Sequence, residues 1–241
     1  MVVGLLVVVG VRLFGGGEGT GSRPDQARPG TVLLVPGYGG SRTALTRLAG
    51  RLDAAGRTTD VLTLPGDGTG DLLAQADILE TAVRAALRAG SPSVDVLGYS
   101  AGGVVPRLWV ARHHGAVVAR RIVTLGSPLH GARIAGLGAA LAPDACPQAC
   151  RELAPGSDLL DGIDGRIPSG LPWLSIWTAN DETVQPPDSA RLAGAVNVSL
   201  QSICPSAQVS HSELPTDPDV TALVLQALGT EPLTQPARCP T

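Results

Sequence analysis

Short apolar runs rich in valine, isoleucine and leucine recur along this chain, separated by longer segments of helical spacing; no other feature restricts the fold as much. Strands that alternate with helices and read as continuous apolar runs belong to a mainly parallel sheet covered on both faces. Residues 31–35 (TVLLV), stopped by Pro36 and Gly37, make the first such strand. Leucines at 45, 48 and 52 give a helix over 42–55 that ends at Gly56, and apolar residues at 72, 76, 79, 83 and 87 give another over 72–89 that ends at Gly90. Further strands are expected at 58–64, 94–97, 121–125, 173–178 and 196–200, and further helices at 101–113, 189–194 and 218–228. Segment 132–171 breaks the rhythm: it is rich in glycine and proline, holds Cys146 and Cys150, and reads as an excursion with one or two short helices. Connections of that length in a compact domain are often functional.

The 241 residues contain no long polar linker, which suits a single folded domain, assigned here to 31–241. Residues 1–14 are an apolar N-terminal segment and 15–30 a glycine-rich, flexible linker. The ten apolar residues from Val2 to Val11 fall short of the about 20 that cross a bilayer. No basic residue precedes them and no clear cleavage site follows. They read either as the tail of an export signal or membrane anchor that starts upstream, or as a short apolar tail beside the domain. Hydrophobic residues at 44% allow a sizeable core. A net charge of −3 without a basic block gives no electrostatic reason to expect nucleic acid. Four cysteines in an export-like chain read as disulfides, with Cys146–Cys150 and Cys204–Cys239 favoured among three pairings. One close pair and two singles do not make the two knuckles of a zinc site, so no metal is expected. Monomer is the default state.

Residues 98–102, Gly98-Tyr99-Ser100-Ala101-Gly102, match G-x-S-x-G, with an expected strand before and an expected helix after. That context turns a common pentapeptide into a nucleophile elbow. The sharp turn forces Ser100 into a strained backbone conformation, and Gly98 and Gly102 remove side chains that would collide there. The first strand runs directly into Pro36-Gly37-Tyr38-Gly39-Gly40, a loop whose glycines let backbone approach a ligand. The main-chain N–H groups of Tyr38 and Ala101 are the candidate oxyanion donors. Neither dinucleotide nor P-loop patterns appear there.

The chain has four histidines. His113 and His114 sit about 20 Å along the helix from Ser100. His130 follows a strand end and could reach the rim. His211 lies between the last strand and the last helix, late enough to complete the order nucleophile, acid, base, and is the preferred general base. Asp181 follows the strand at 173–178 and is the preferred acid that orients it. Glu182 and Asp188 are its rivals, Asp188 reading better as the cap of the 189–194 helix.

With these segments in view, the chain from about 31 to 228 resembles the small bacterial lipases of the α/β-hydrolase superfamily, the class 2 or minimal group, and their actinobacterial secreted relatives. VLLVPGYGGS looks like that family's first strand and oxyanion loop, VDVLGYSAGG its elbow, RIVTLGSPLHG the strand and loop that follow, SIWTANDETVQP its acid segment, and VSHSEL its base loop. The resemblance implies an α/β-hydrolase fold with little or no lid, a Ser100, Asp181 and His211 triad, no cofactor, and extracellular or envelope-associated hydrolysis of lipid or simple acyl esters. Two departures stand out: Pro36 occupies a place where many members carry histidine, and the elbow reads Tyr-Ser-Ala-Gly in place of His-Ser-Met-Gly. Neither removes a backbone donor or the nucleophile. The competing readings are an acyltransferase or amidase using the same triad, and a non-catalytic cell-surface binding protein on the same fold; membrane association through the N-terminus is separable from all of these.

Overall fold

Side chains on successive residues of the first strand, β1 (Thr31–Val35), point to opposite faces and divide the core in two. In the computed structural model, which describes residues 23–163 and 167–240, five further strands join it: β2 (Thr59–Val61), β3 (Val94–Tyr99), β4 (Ala119–Leu125), β5 (Trp173–Trp177) and β6 (Val196–Ser199). They form one sheet in the order β2-β1-β3-β4-β5-β6, and every pair is parallel. Val32 and Leu34 pack with the leucines of α1 (Thr43–Ala54) and with Val220, Leu223 and Val224 of the last helix, Pro218–Ala227. Leu33 and Val35 pack on the other face with α2 (Leu72–Arg88) and α3 (Val104–His113). Central strands are therefore buried on both sides, which is why they read as unbroken apolar runs.

Local chemistry fixes the helix ends. Asp71 caps α2 by accepting from the amides of Leu73 and Ala74, and Asp217 caps the last helix by accepting from Val220, with Pro218 in its first turn. The segment expected as one helix over 101–113 begins instead as a 3-10 turn, Ser100–Gly103, before α3 continues. Strand β2 stops at Val61 although a strand to residue 64 was expected, because its pairing with β1, its one neighbour, ends where Leu34 lies opposite Val61 and the Leu62 amide makes the last bond to the Leu34 carbonyl. The excursion holds three short α-helices, α4 (Arg133–Leu141), α5 (Gln148–Glu152) and α6 (Asp158–Asp161), one more than its composition indicated. Two more complete the order, α7 (Leu200–Ile203) and α8, the helix Pro218–Ala227.

The helix expected over 189–194 does not form. A single 3-10 turn spans Pro187–Ala190, with Asp188 inside it and not at a cap. Beyond it the Asn197 side chain accepts from the Leu192 amide and donates to the carbonyls of Leu192 and Ala195, closing a turn that a helix could not share. Both expected disulfides are present, Cys146–Cys150 and Cys204–Cys239. The apolar segment 1–14 and residues 15–22 of the stretch read as a linker lie outside the described residues. Of the remainder, Arg23 donates to the carbonyls of Ala116 and Ser169, and Gln26 to that of Arg120. Among the described residues no helix is long and apolar enough to cross a membrane.

Candidate active site

The loops that leave the carboxyl ends of β1, β3, β5 and β6 converge at one end of the sheet, where open parallel sheets place their ligands. Ser100 leaves the central strand β3 with φ of +53°, a left-handed conformation uncommon for a residue with a side chain. The crowding that holds it there is visible at the two elbow glycines. A Cβ at Gly98 would fall 2.3 Å from the Gly102 carbonyl oxygen, and one at Gly102 would fall 2.2 Å from that of Pro36. Strand β3 and the following turn thus pack backbone against backbone, and any side chain at either position would break the elbow.

His211 Nε2 lies 3.0 Å from the Ser100 hydroxyl and Nδ1 lies 2.7 Å from Asp181 Oδ2. Both His211 and Asp181 are buried. The other carboxylate oxygen of Asp181 accepts from the amides of Thr183 and Val184, at 2.9 and 2.7 Å, which fixes the rotamer facing the imidazole. The acid and histidine loops are laced together: Thr178 Oγ1 donates to the Val209 carbonyl at 2.6 Å, and Gln201 donates to Thr178 Oγ1 and to the Ala207 carbonyl. His211 opens a short 3-10 turn closed by a capping box between Ser210 and Glu213.

Tyr38 and Ala101 border the same cleft as Ser100. Gly37, one residue before Tyr38, sits so near Ser100 that a Cβ there would lie 2.9 Å from Ser100 Cβ. The loop then turns back through a Gly40 amide to Gly37 carbonyl bond, with Gly39 at φ +84° and Gly40 at φ +64°. The conformation demands glycine, as turns with positive φ do. Burial, and then the charge of Asp67, raise the Tyr38 phenol above its ordinary range.

The rival residues lie elsewhere. His113 pairs with Asp77 at the surface, and His114 ends α3 in a left-handed conformation. His130 faces the Arg191 carbonyl, 3.0 Å from its Nε2. Glu182 accepts from the His211 main-chain amide at 3.2 Å, so it steadies the histidine's backbone while Asp181 meets the ring. Three contributors escape sequence reasoning. Gly126, at φ +53°, lies behind the imidazole, where a Cβ would come within 3.1 Å of Nδ1 and 2.6 Å of Leu214 Cδ1. Gly103 abuts Ser127, whose hydroxyl a Cβ would meet at 1.9 Å. Tyr99 donates to the His211 carbonyl at 3.2 Å, and its ring centroid lies 5.3 Å from the imidazole. Burial first, and then the charges of Asp181 and Glu182, push its phenol up to about 12. Glycines after β3 and β4 were the available signal for the first two, but their partners, Ser127 for Gly103 and His211 and Leu214 for Gly126, lie in loops and turns reached from other parts of the chain.

The cleft above Ser100 has a volume of about 360 Å³ and walls dominated by apolar side chains, including Ile134, Leu153 and Val184. Metal ligation is not the role of the one tight group of Cys204, Asp219 and Cys239 found among the described residues, because both its cysteines are joined as a disulfide.

No protein-family model matches the sequence, and no curated protein matches it. Solved structures do. Lipase B of Aspergillus fumigatus is similar with a TM-score of 0.71 and 21% identity, over 83% of this chain and 52% of that one. The lipase BlEst2 of Bacillus licheniformis in its propeptide form gives 0.68 and 18% identity, over 90% and 54%. An α/β-hydrolase fold protein from Nakamurella multipartita gives 0.53 and 20%, over 85% and 93%. The present chain thus spans about half the length of the first two. The chain has the α/β-hydrolase fold, with its parallel six-stranded sheet and helices on both faces.

Proposed function

We propose that this protein is a serine carboxylic-ester hydrolase that works through an acyl-enzyme. One observation carries the reading: an unbroken hydrogen-bonded line from the Asp181 carboxylate through the His211 imidazole to the Ser100 hydroxyl, at 2.7 and 3.0 Å, opening into an apolar cleft. His211 Nε2 takes the hydroxyl proton as Ser100 Oγ attacks the ester carbonyl, and Asp181 stabilises the imidazolium that forms. The negative charge on the former carbonyl oxygen is met by the amides of Ala101 and Tyr38; losing one such donor in a comparable site costs about 3 kcal/mol of barrier. Collapse of the tetrahedral intermediate breaks the ester C–O bond, and the same proton passes from His211 to the departing alkoxide. Water, deprotonated by His211, then attacks the acyl-Ser100 ester and releases the carboxylic acid. The cycle needs no metal or organic cofactor.

Lipid esters are favoured over small polar ones by a second feature. Helix α4 exposes Ile134, Leu137 and Leu141, at 64, 59 and 79% of their surfaces, and Ile134 also borders the cleft. Spaced three and four apart, they lie on one face of the helix. Similarity in fold to two lipases, and two disulfides of the kind kept in oxidising compartments, support the lipase and extracytoplasmic parts of the reading. Hydrolysis of p-nitrophenyl esters by the wild-type protein, lost in Ser100→Ala, is the expected result. Equal turnover by Ser100→Ala overturns it.

A further inference from the structure

The cleft that begins at Ser100 and Ala101 also reaches Ala135 and Gly138 of α4 and Cys150 of the Cys146–Cys150 disulfide. Glycine is the poorest helix former after proline, yet α4 carries two in nine residues, Gly136 and Gly138, and both have a packing reason. A Cβ at Gly138 would stand 3.1 Å from Cys150 Sγ and 3.6 Å from Cys146 Sγ, and one at Gly136 would stand 3.3 Å from Pro155 Cδ. Helix α4 is therefore pressed backbone-first against the disulfide and the chain after α5.

The disulfide is in turn anchored. Between its cysteines the Ala149 amide donates to the Thr69 carbonyl at 3.0 Å, and three residues on Glu152 accepts from the Leu72 amide at the start of α2 at 2.8 Å. Cys146 itself is buried. A wall made of a covalent clip, a helix without side chains at the contact, and hydrogen bonds to the next layer has little freedom to give way.

We propose that this wall, formed by Ala135, Gly138 and the Cys146–Cys150 disulfide, is the specificity-determining element that measures the acyl chain of the ester. The inference rests on the ester-hydrolase reading for its chemistry, and on the geometry of the cleft for the measuring. A linear acyl group attached at Ser100 extends away from the oxyanion loop along α4, and its length is limited where the helix and the disulfide meet. Larger side chains on this wall shorten the acyl group accepted; removing the sulfur atoms lengthens it.

The test compares kcat/KM for the butyrate, octanoate and palmitate p-nitrophenyl esters in wild type, Ala135→Leu and the double variant Cys146→Ala/Cys150→Ala. Each methylene shut out of an apolar site costs about fourfold, so the three carbons that leucine adds lower the octanoate-to-butyrate ratio on the order of 50-fold. The double variant raises the palmitate-to-octanoate ratio at least about fourfold. Should the double variant fail to fold, the Ala135→Leu ratio stands by itself. Affinities of straight-chain fatty acids for the same proteins, measured by titration calorimetry, separate the two levels. If no ester is hydrolysed and Ala135→Leu still weakens octanoate selectively, the hydrolase reading falls and the measuring wall stands. If esters are hydrolysed and Ala135→Leu leaves the octanoate-to-butyrate ratio where wild type has it, the measuring wall is overturned.

Discussion

Holding Ser100 in the left-handed region costs stability, and the cost can be measured by comparing two variants that lack the hydroxyl. At φ of +53°, a residue with a Cβ is strained by about 1–2 kcal/mol relative to glycine. Glycine gives back about 0.4–1 kcal/mol of that because its unfolded chain is freer. Ser100→Ala and Ser100→Gly both lose the hydroxyl and its bond to His211, so their difference isolates the backbone term. The glycine variant is expected to be the more stable by about 1 kcal/mol, which at this chain length is about 2–4 °C in Tm. Urea unfolding followed by tryptophan fluorescence gives the number directly, provided both variants share one m-value. An alanine variant as stable as the glycine variant, or more so, would refute the claim that the turn after β3 stores strain at Ser100.

Three further outcomes follow from the packing. Asp95, fully buried on β3, sits 2.6 Å from both Arg57 and Arg120, and Asp95→Ala strands buried positive charge, lowering unfolding free energy by about 3–5 kcal/mol in urea titration. Replacing Cys204 and Cys239 by alanine frees a loop of 35 residues in the unfolded chain and lowers stability by about 4 kcal/mol, measured the same way under non-reducing conditions. The Tyr99 phenol, raised from 10.0 to about 12, loses its proton first in the unfolded state; its contribution is whole below pH 10 and fades as pH rises through about 12. Over that window wild type should lose stability that Tyr99→Phe does not, and parallel pH profiles for the two proteins would count against the assigned environment.

The parts of the site legible in sequence were those written in local chain order. Pro36-Gly37 after one apolar run and G-x-S-x-G after another marked the ends of β1 and β3, and His211 was singled out by coming late in the chain. Contacts between distant segments were not legible. Gly126 gives room to an imidazole 85 positions further on, and nothing in LGSP says so. Glu182 looked like a rival acid, but which of two adjacent carboxylates meets the ring depends on the amides of Thr183 and Val184 that hold Asp181. The helix expected at 189–194 failed for a related reason: the amide of Asn197, on the next strand, closes the turn that replaces it. The three helices of the excursion are short, nine, five and four residues, too short for an apolar repeat to mark them, and the placement of α4 follows from its two glycines packing on the disulfide and on Pro155.

In the proposed mechanism Ser100 carries the acyl group during turnover. Acid-quenching the protein within the first turnovers of p-nitrophenyl butyrate and weighing it intact, followed by peptide mapping, locates that group. A butyryl adduct is expected on the peptide that contains Ser100, present in wild type and absent from Ser100→Ala. A butyryl group on another residue, or steady turnover by Ser100→Ala, would contradict it.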